Sequence, residues 1–147
     1  MRRRQKREAA LTDHVEIQVR FSEVDALQIV WHGEYVKYIE DGREAFGKRY
    51  DIGYMDIKNE GFAAPIVKLS LDYKLPLSFN EQVIVETRFI PCDAAKIQFD
   101  YTIYRKTDRA VVAEASTKQV FTHLQTGVLE LNNPDFYLKW KEKWNIQ

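Results

Sequence analysis

The chain has 147 residues, a length that suits one domain able to bury roughly 68–70% of the surface its unfolded form exposes. Lys plus Arg and Asp plus Glu each number 22, and a formal net charge of zero argues against a general nucleic-acid binder, which carries a basic excess. Cys92 is the one cysteine, so no internal disulfide framework is available and the composition fits a reducing compartment.

The start is basic: Arg2, Arg3, Arg4, Lys6 and Arg7 fall within the first seven residues. Residues 1–14 read as a flexible basic segment, or as an arm for phosphates, ahead of a single domain at 15–147. No apolar secretory core follows it, and no stretch approaches the ~18 apolar residues of a membrane span. A cytoplasmic protein with no membrane partner is expected.

Val15, Ile17, Val19 and Phe21 alternate with polar residues, which predicts a half-buried first strand. A loop follows to His32. Tyr35, Ile39, Gly42 and Phe46 then recur at spacings of four, three and four, one face of a helix over 33–46. Gly42 on that apolar face predicts a close-packed neighbouring backbone, and Gly47 is placed to stop the helix. Residues 48–61 read as a short second helix or a loop broken at Gly53.

Strands resume after that. Val67, Leu69, Leu71 and Tyr73 alternate with polar residues up to Pro76. Val83, Val85, Thr87 and Phe89 form a second such set, and Ile97, Phe99, Tyr101 and Ile103 a third. A last long run covers 110–122, with Glu114, Ser116 and Lys118 on one face. The connections at 92–95 and 106–109 are of hairpin length, so neighbouring strands are antiparallel. Residues 136–144 predict a terminal amphipathic helix carrying Trp140 and Trp144. The sum is α+β: a long helix covering the apolar face of an antiparallel sheet.

Several chemistries lack their signatures. No G-x-S-x-G elbow, H-E-x-x-H pair or Gly-rich phosphate loop is present. His14, His32 and His123 are scattered, so no metal site and no cofactor are expected. Cys92, between two strands with no histidine beside it, reads as structural.

The segment 20–35 differs. Asp25 is followed by the apolar Ile29, Val30 and Trp31, then by His32 and Gly33 at the start of the long helix. Free N–H groups at a helix start favour a developing anion, and Gly33 admits close approach. A carboxylate opposite such donors suits thioester hydrolysis, because a thiol ionising near pH ~8.5 leaves without a full triad to protonate it. Spacing alone leaves Asp25 open as a turn or cap residue, and His32 as a capping or interfacial histidine. Trp31 and Tyr35 read as core, interface or substrate contacts, and Glu40 with Arg43 as an ordinary i,i+3 ion pair.

These residues carry a resemblance. From Arg20 to Arg43 the chain follows R-[FY]-x-[DE]-x-D-x-x-G-x-V-x-H-x-x-Y-x-x-[YF]-x-E-x-x-R, which resembles the signature of the 4-hydroxybenzoyl-CoA thioesterase-like family of hotdog proteins. The resemblance implies a long central helix wrapped by a five-stranded antiparallel sheet. It also implies sheets paired between two chains, in a homodimer or homotetramer, with active sites at the interface. It places the catalytic aspartate at Asp25, with His32 beside it, and the carbonyl-polarising backbone donor at His32 or Gly33. Tyr35, Gln28 and Trp31 are expected to contact substrate. Gln28 departs from the glycine usual there. The expected activity is hydrolysis of acyl-CoA or an acyl-carrier-protein thioester to acid and thiol. Two other readings stay open: a hydratase or dehydratase, disfavoured by the long spacing from Asp25 to His32, and a non-catalytic thioester-binding dimer.

Overall fold

The computed structural model of the protein describes residues 11–146, so the basic run at 2–7 lies outside the described residues. Five long strands carry the sheet: β1 (Leu11–Gln18), β3 (Ile66–Tyr73), β4 (Gln82–Ile90), β5 (Lys96–Arg105) and β6 (Val111–His123). Two-residue strands β2 (Phe62–Ala63) and β7 (Leu129–Glu130) add to the far end of β6. The order is β1-β4-β5-β6, with β3 alongside β6, and every pairing is antiparallel.

Register shows why the period-two runs form these strands. Val83, Val85, Thr87 and Phe89 stand opposite Arg105, Ile103, Tyr101 and Phe99, and Tyr101 and Ile103 stand opposite Ala115 and Ala113. Their inward side chains form one continuous buried face. Helix α1 (Glu34–Tyr50) lies on it with Tyr35, Tyr38, Ile39, Phe46 and Tyr50 inward. A long helix held in a curved antiparallel sheet is the hotdog arrangement. Among the described residues, no helix is long and apolar enough to cross a membrane.

Four local expectations change. The first strand begins at Leu11, because Asp13 faces inward and is held by Arg49 of α1 at 3.1 Å, which hides the alternation. Gly47 does not stop α1, which runs one turn further to bury Tyr50 and ends on Asp51 in the left-handed conformation (φ 59°). Gly47 instead lets the chain cross itself: a Cβ there would lie 2.7 Å from the Cα of Gly53. Gly42 meets side chains rather than backbone, since a Cβ would lie 2.7 Å from both Thr87 Oγ1 and Val85 Cγ1. In β3 an irregularity between Ile66 and Lys68 shifts the register by one residue. Ile66 therefore shares the inner face with Leu69, Leu71 and Tyr73, and Val67 is the extra residue of a bulge, left exposed.

Gly53 opens the short helix α2 (Tyr54–Asn59), its N–H donating to Asp56 Oδ2 at 2.7 Å. Helix α3 (Asp135–Lys143) closes the far end, burying Tyr137 and Trp140. The Nε1 groups of Trp140 and Trp144 both donate to the Tyr50 carbonyl and satisfy the end of α1.

Candidate active site

The loop between β1 and α1 is folded as a small antiparallel ribbon. After a 3-10 turn at Phe21–Glu23, the Trp31 amide donates to the Glu23 carbonyl, Val24 bridges Val30, and the Asp25 amide donates to the Ile29 carbonyl at 2.9 Å. Val30 points into the core, so by alternation Asp25, Ile29 and Trp31 project from the other face.

The tip of the ribbon is a tight turn. The Gln28 amide donates to the Asp25 carbonyl at 2.9 Å, and Asp25 Oδ1 accepts the Leu27 amide at 2.8 Å. Asp25 is thus a turn residue in this structure, half-buried, with one carboxylate oxygen engaged and the second outside this turn bond. Gln28 has φ 65°, a conformation that glycine takes without strain. That accounts for the glycine in the motif, and the glutamine side chain lies exposed.

Two motif residues fasten this ribbon to the helix. Glu23 Oε1 accepts the Arg20 amide at 2.7 Å and the Tyr38 hydroxyl at 3.0 Å. Burial, then the bond to Glu23, push the Tyr38 phenol well above its ordinary range. Tyr35, also buried, packs edge-on against Tyr38 and Tyr73, with ring centroids 5.9 and 5.0 Å away. Burial pushes its phenol up to about 12. It lies beneath the helix start rather than on its open side.

The helix start itself is uncapped. Gly33 occupies the cap position with no side-chain bond to the first turn. The Trp31 carbonyl accepts the Glu34 amide at 2.9 Å, and the His32 carbonyl accepts the Tyr73 hydroxyl at 2.6 Å. In a trans peptide the N–H points opposite to the C=O. These two bonds therefore aim the His32 and Gly33 amides away from the helix and from Tyr73. Among the described residues no hydrogen bond takes up either amide. The Trp31 indole lies over Gly33, where a Cβ would come within 2.1 Å of the ring, and it packs against the His32 imidazole at 4.9 Å between centroids.

Of the six residues singled out from the sequence, Asp25, Gln28 and Trp31 lie on the ribbon, His32 and Gly33 at the helix start, and Tyr35 buried in the first turn of α1. Tyr73 and the Glu23–Tyr38 bond are additions. Tyr73 sits 41 residues beyond His32 in the chain, and no local pattern marks it. Glu40 and Arg43 form no ion pair among the described residues. Both line a cavity of about 710 Å³ beside the second half of α1, and Arg43 makes a long 3.5 Å contact with the Tyr101 hydroxyl.

A family model for the thioesterase-like superfamily matches residues 19–141. The chain belongs to this superfamily. Among its curated relatives, the putative acyl-CoA thioesterase YneP of Bacillus subtilis is 32% identical over 109 residues, covering 74% of this chain and 75% of that one. The acyl-acyl carrier protein thioesterase ATL3 of Arabidopsis thaliana is 29% identical over 69% of this chain, which spans 53% of that protein's length. In solved structures the fold recurs in a DHNA-CoA thioesterase from Staphylococcus aureus, with TM-score 0.80 and 21% identity over 91% of this chain and 88% of that one. It recurs too in the 4-hydroxybenzoyl-CoA thioesterase of Pseudomonas sp. strain CBS-3, with TM-score 0.76 and 17% identity over 88% and 98%. This thioesterase-like chain is therefore a hotdog protein by sequence family and by architecture.

Proposed function

We propose that the chain hydrolyses an acyl-CoA thioester, with Asp25 delivering the nucleophile and the His32 and Gly33 amides receiving the developing oxyanion. The carrying observation is the uncapped start of α1, whose two outward amides lack an internal acceptor on the same segment as a half-buried carboxylate. Such donors act where charge grows in the transition state, and each is typically worth about 10²–10³ in rate. Water adds its oxygen to the acyl carbon as the C–S bond breaks; the products are the acid and CoA thiol. Gln28 and Trp31, beside these groups in the chain, are assigned to substrate contact, Tyr35 supports the helix start from below, and no metal or cofactor is invoked. The reading places the chain in the cytoplasm, where Cys92 stays a thiol.

The site is completed by a second copy. Among the described residues β3 pairs only with β6, and its free edge carries Val67, Leu69 and Tyr73, 60%, 38% and 44% exposed. An apolar free edge of this length favours pairing with its own copy across a two-fold axis. Antiparallel pairing of two β3 edges sets the Tyr73 end of one strand beside the Ile66 end of the other. The helix start of one protomer then faces the cavity of its partner. A homodimer is the minimal active unit in this reading.

The test is release of free thiol from a panel of short, long and aromatic acyl-CoAs. Purified protein is expected to release thiol from at least one of them, and Asp25→Asn to remove that activity while remaining folded. Full activity in the variant removes Asp25 from the mechanism. Matched acyl-carrier-protein substrates in the same assay identify the preferred carrier.

A further inference from the structure

We infer that Gln119 is a specificity-determining residue, whose side-chain oxygen accepts a hydrogen bond from a hydroxyl or other O–H or N–H donor on the acyl group. This rests on the thioester-hydrolase reading and adds to it the class of acyl group that the cavity selects.

The cavity of about 710 Å³ lies between α1, α2 and the sheet, with Ile57, Ala64, Ile66, Ile97 and Phe99 among its walls. That volume is ample for a medium acyl chain or an aromatic acyl group. Its walls on the sheet side are apolar except at Gln119. That residue projects from the inner face of β6 between Ile66 of β3 and Ile97 of β5, directly opposite each in the register.

Gln119 is 9% exposed. Its Nε2 donates to the Ala64 carbonyl at 2.7 Å. A carbonyl only accepts, so this bond fixes which end of the amide is nitrogen. Oε1 is then left with no partner among the described residues and almost no exposed surface, so a donor in the cavity reaches it as the amide turns. Buried acceptors are nearly always satisfied, and a site with an unsatisfied one discriminates for a ligand that supplies the donor. The bulge at Val67 contributes to this arrangement. The one-residue shift puts Ile66, rather than Val67, beside Gln119 on the cavity face.

The experiment compares kcat/KM on pairs of acyl-CoAs that differ only in one hydroxyl on the acyl group, across several hydroxyl positions and with aromatic pairs included. Wild type is expected to favour the hydroxylated member of at least one pair by about tenfold, a neutral hydrogen bond's worth. Gln119→Met is expected to bring that ratio close to one, mainly through KM. The ratio is internal to each enzyme, so a lowered folded fraction does not alter it. Gln119→Asn, shorter by one methylene, is the second variant should the methionine fail to fold, and the same loss of preference is expected. A wild-type ratio near one for every pair overturns the inference, as does a preference that survives both substitutions. Absence of thiol release from every substrate instead overturns the hydrolase reading itself.

Discussion

The two ends of α1 are built in opposite ways. At the C-terminal end, Phe46, Tyr50, Phe89, Phe99, Trp140 and Trp144 pack ring against ring, with centroid separations of 4.7–5.1 Å at the closest pairs. Two indole N–H groups take up the Tyr50 carbonyl, and the Asp51 amide takes up that of Gly47. At the N-terminal end, among the described residues, no side chain caps the helix and two amides stay open, Gln28 holds a left-handed backbone, and Trp31 is 48% exposed. A helix needs both ends satisfied for stability alone. The contrast sets an end sealed by packing against an end whose amides stay open among the described residues, the end to which the proposed site is assigned.

Asp25→Asn acts at the open end and carries the largest expected effect. The variant keeps an oxygen to accept the Leu27 amide, so the melting temperature is expected to hold within a few degrees. The rate of thiol release should fall roughly 10²–10⁴-fold, the range of a positioned base. A large loss of thermal stability would mean that this carboxylate is there for the turn, and the contrast between the ends would weaken. Trp140→Ala acts at the sealed end. Removing a buried indole costs about 3–5 kcal/mol, read as a drop of roughly 10 °C, while activity per folded molecule stays near wild type. Equal losses of both would join the ends into one unit.

Tyr73→Phe removes the donor to the His32 carbonyl and frees the peptide that aims the Gly33 amide. A loss of about 0.5–1.5 kcal/mol is expected, seen as a few-fold to tenfold fall in kcat with KM less affected; an effect confined to KM would make Tyr73 a simple contact. Asp41→Asn, midway along α1, has the smallest effect. Partial desolvation against the helix first, then the neighbouring Glu44 and Glu40, raise the carboxyl of the largely exposed Asp41 above its ordinary value. A raised carboxyl binds its proton more tightly in the folded state, so its contribution to stability falls as pH rises through the folded value. The variant should therefore gain a fraction of about 1 kcal/mol at neutral pH, since the group is exposed and screened. Thermal melts below pH ~4 should show no gain.

What could be read from the sequence follows the range of the forces involved. β4, β5 and β6 were legible because their inward residues alternate without interruption and face one another. The start of β1 was not, because Asp13 points inward and is answered by Arg49, 36 residues away. The phase of β3 was lost at Val67, since a bulge leaves no compositional mark. The candidate segment could be singled out because Asp25, His32 and Gly33 lie close together in the chain. Tyr73 and the cavity were not, because strands distant in the chain supply them, and Glu40 with Arg43 resembled a surface ion pair until α2 and β2 closed over that side.

The indole resting on Gly33 has a practical corollary. Of the three tryptophans, Trp140 is 6% exposed and Trp144 half-buried, both locked at the closed end. Of the three, Trp31 alone lies at the open end, over Gly33. Intrinsic emission of the unlabelled protein should therefore change when a ligand reaches the proposed oxyanion position, before any bond is cleaved.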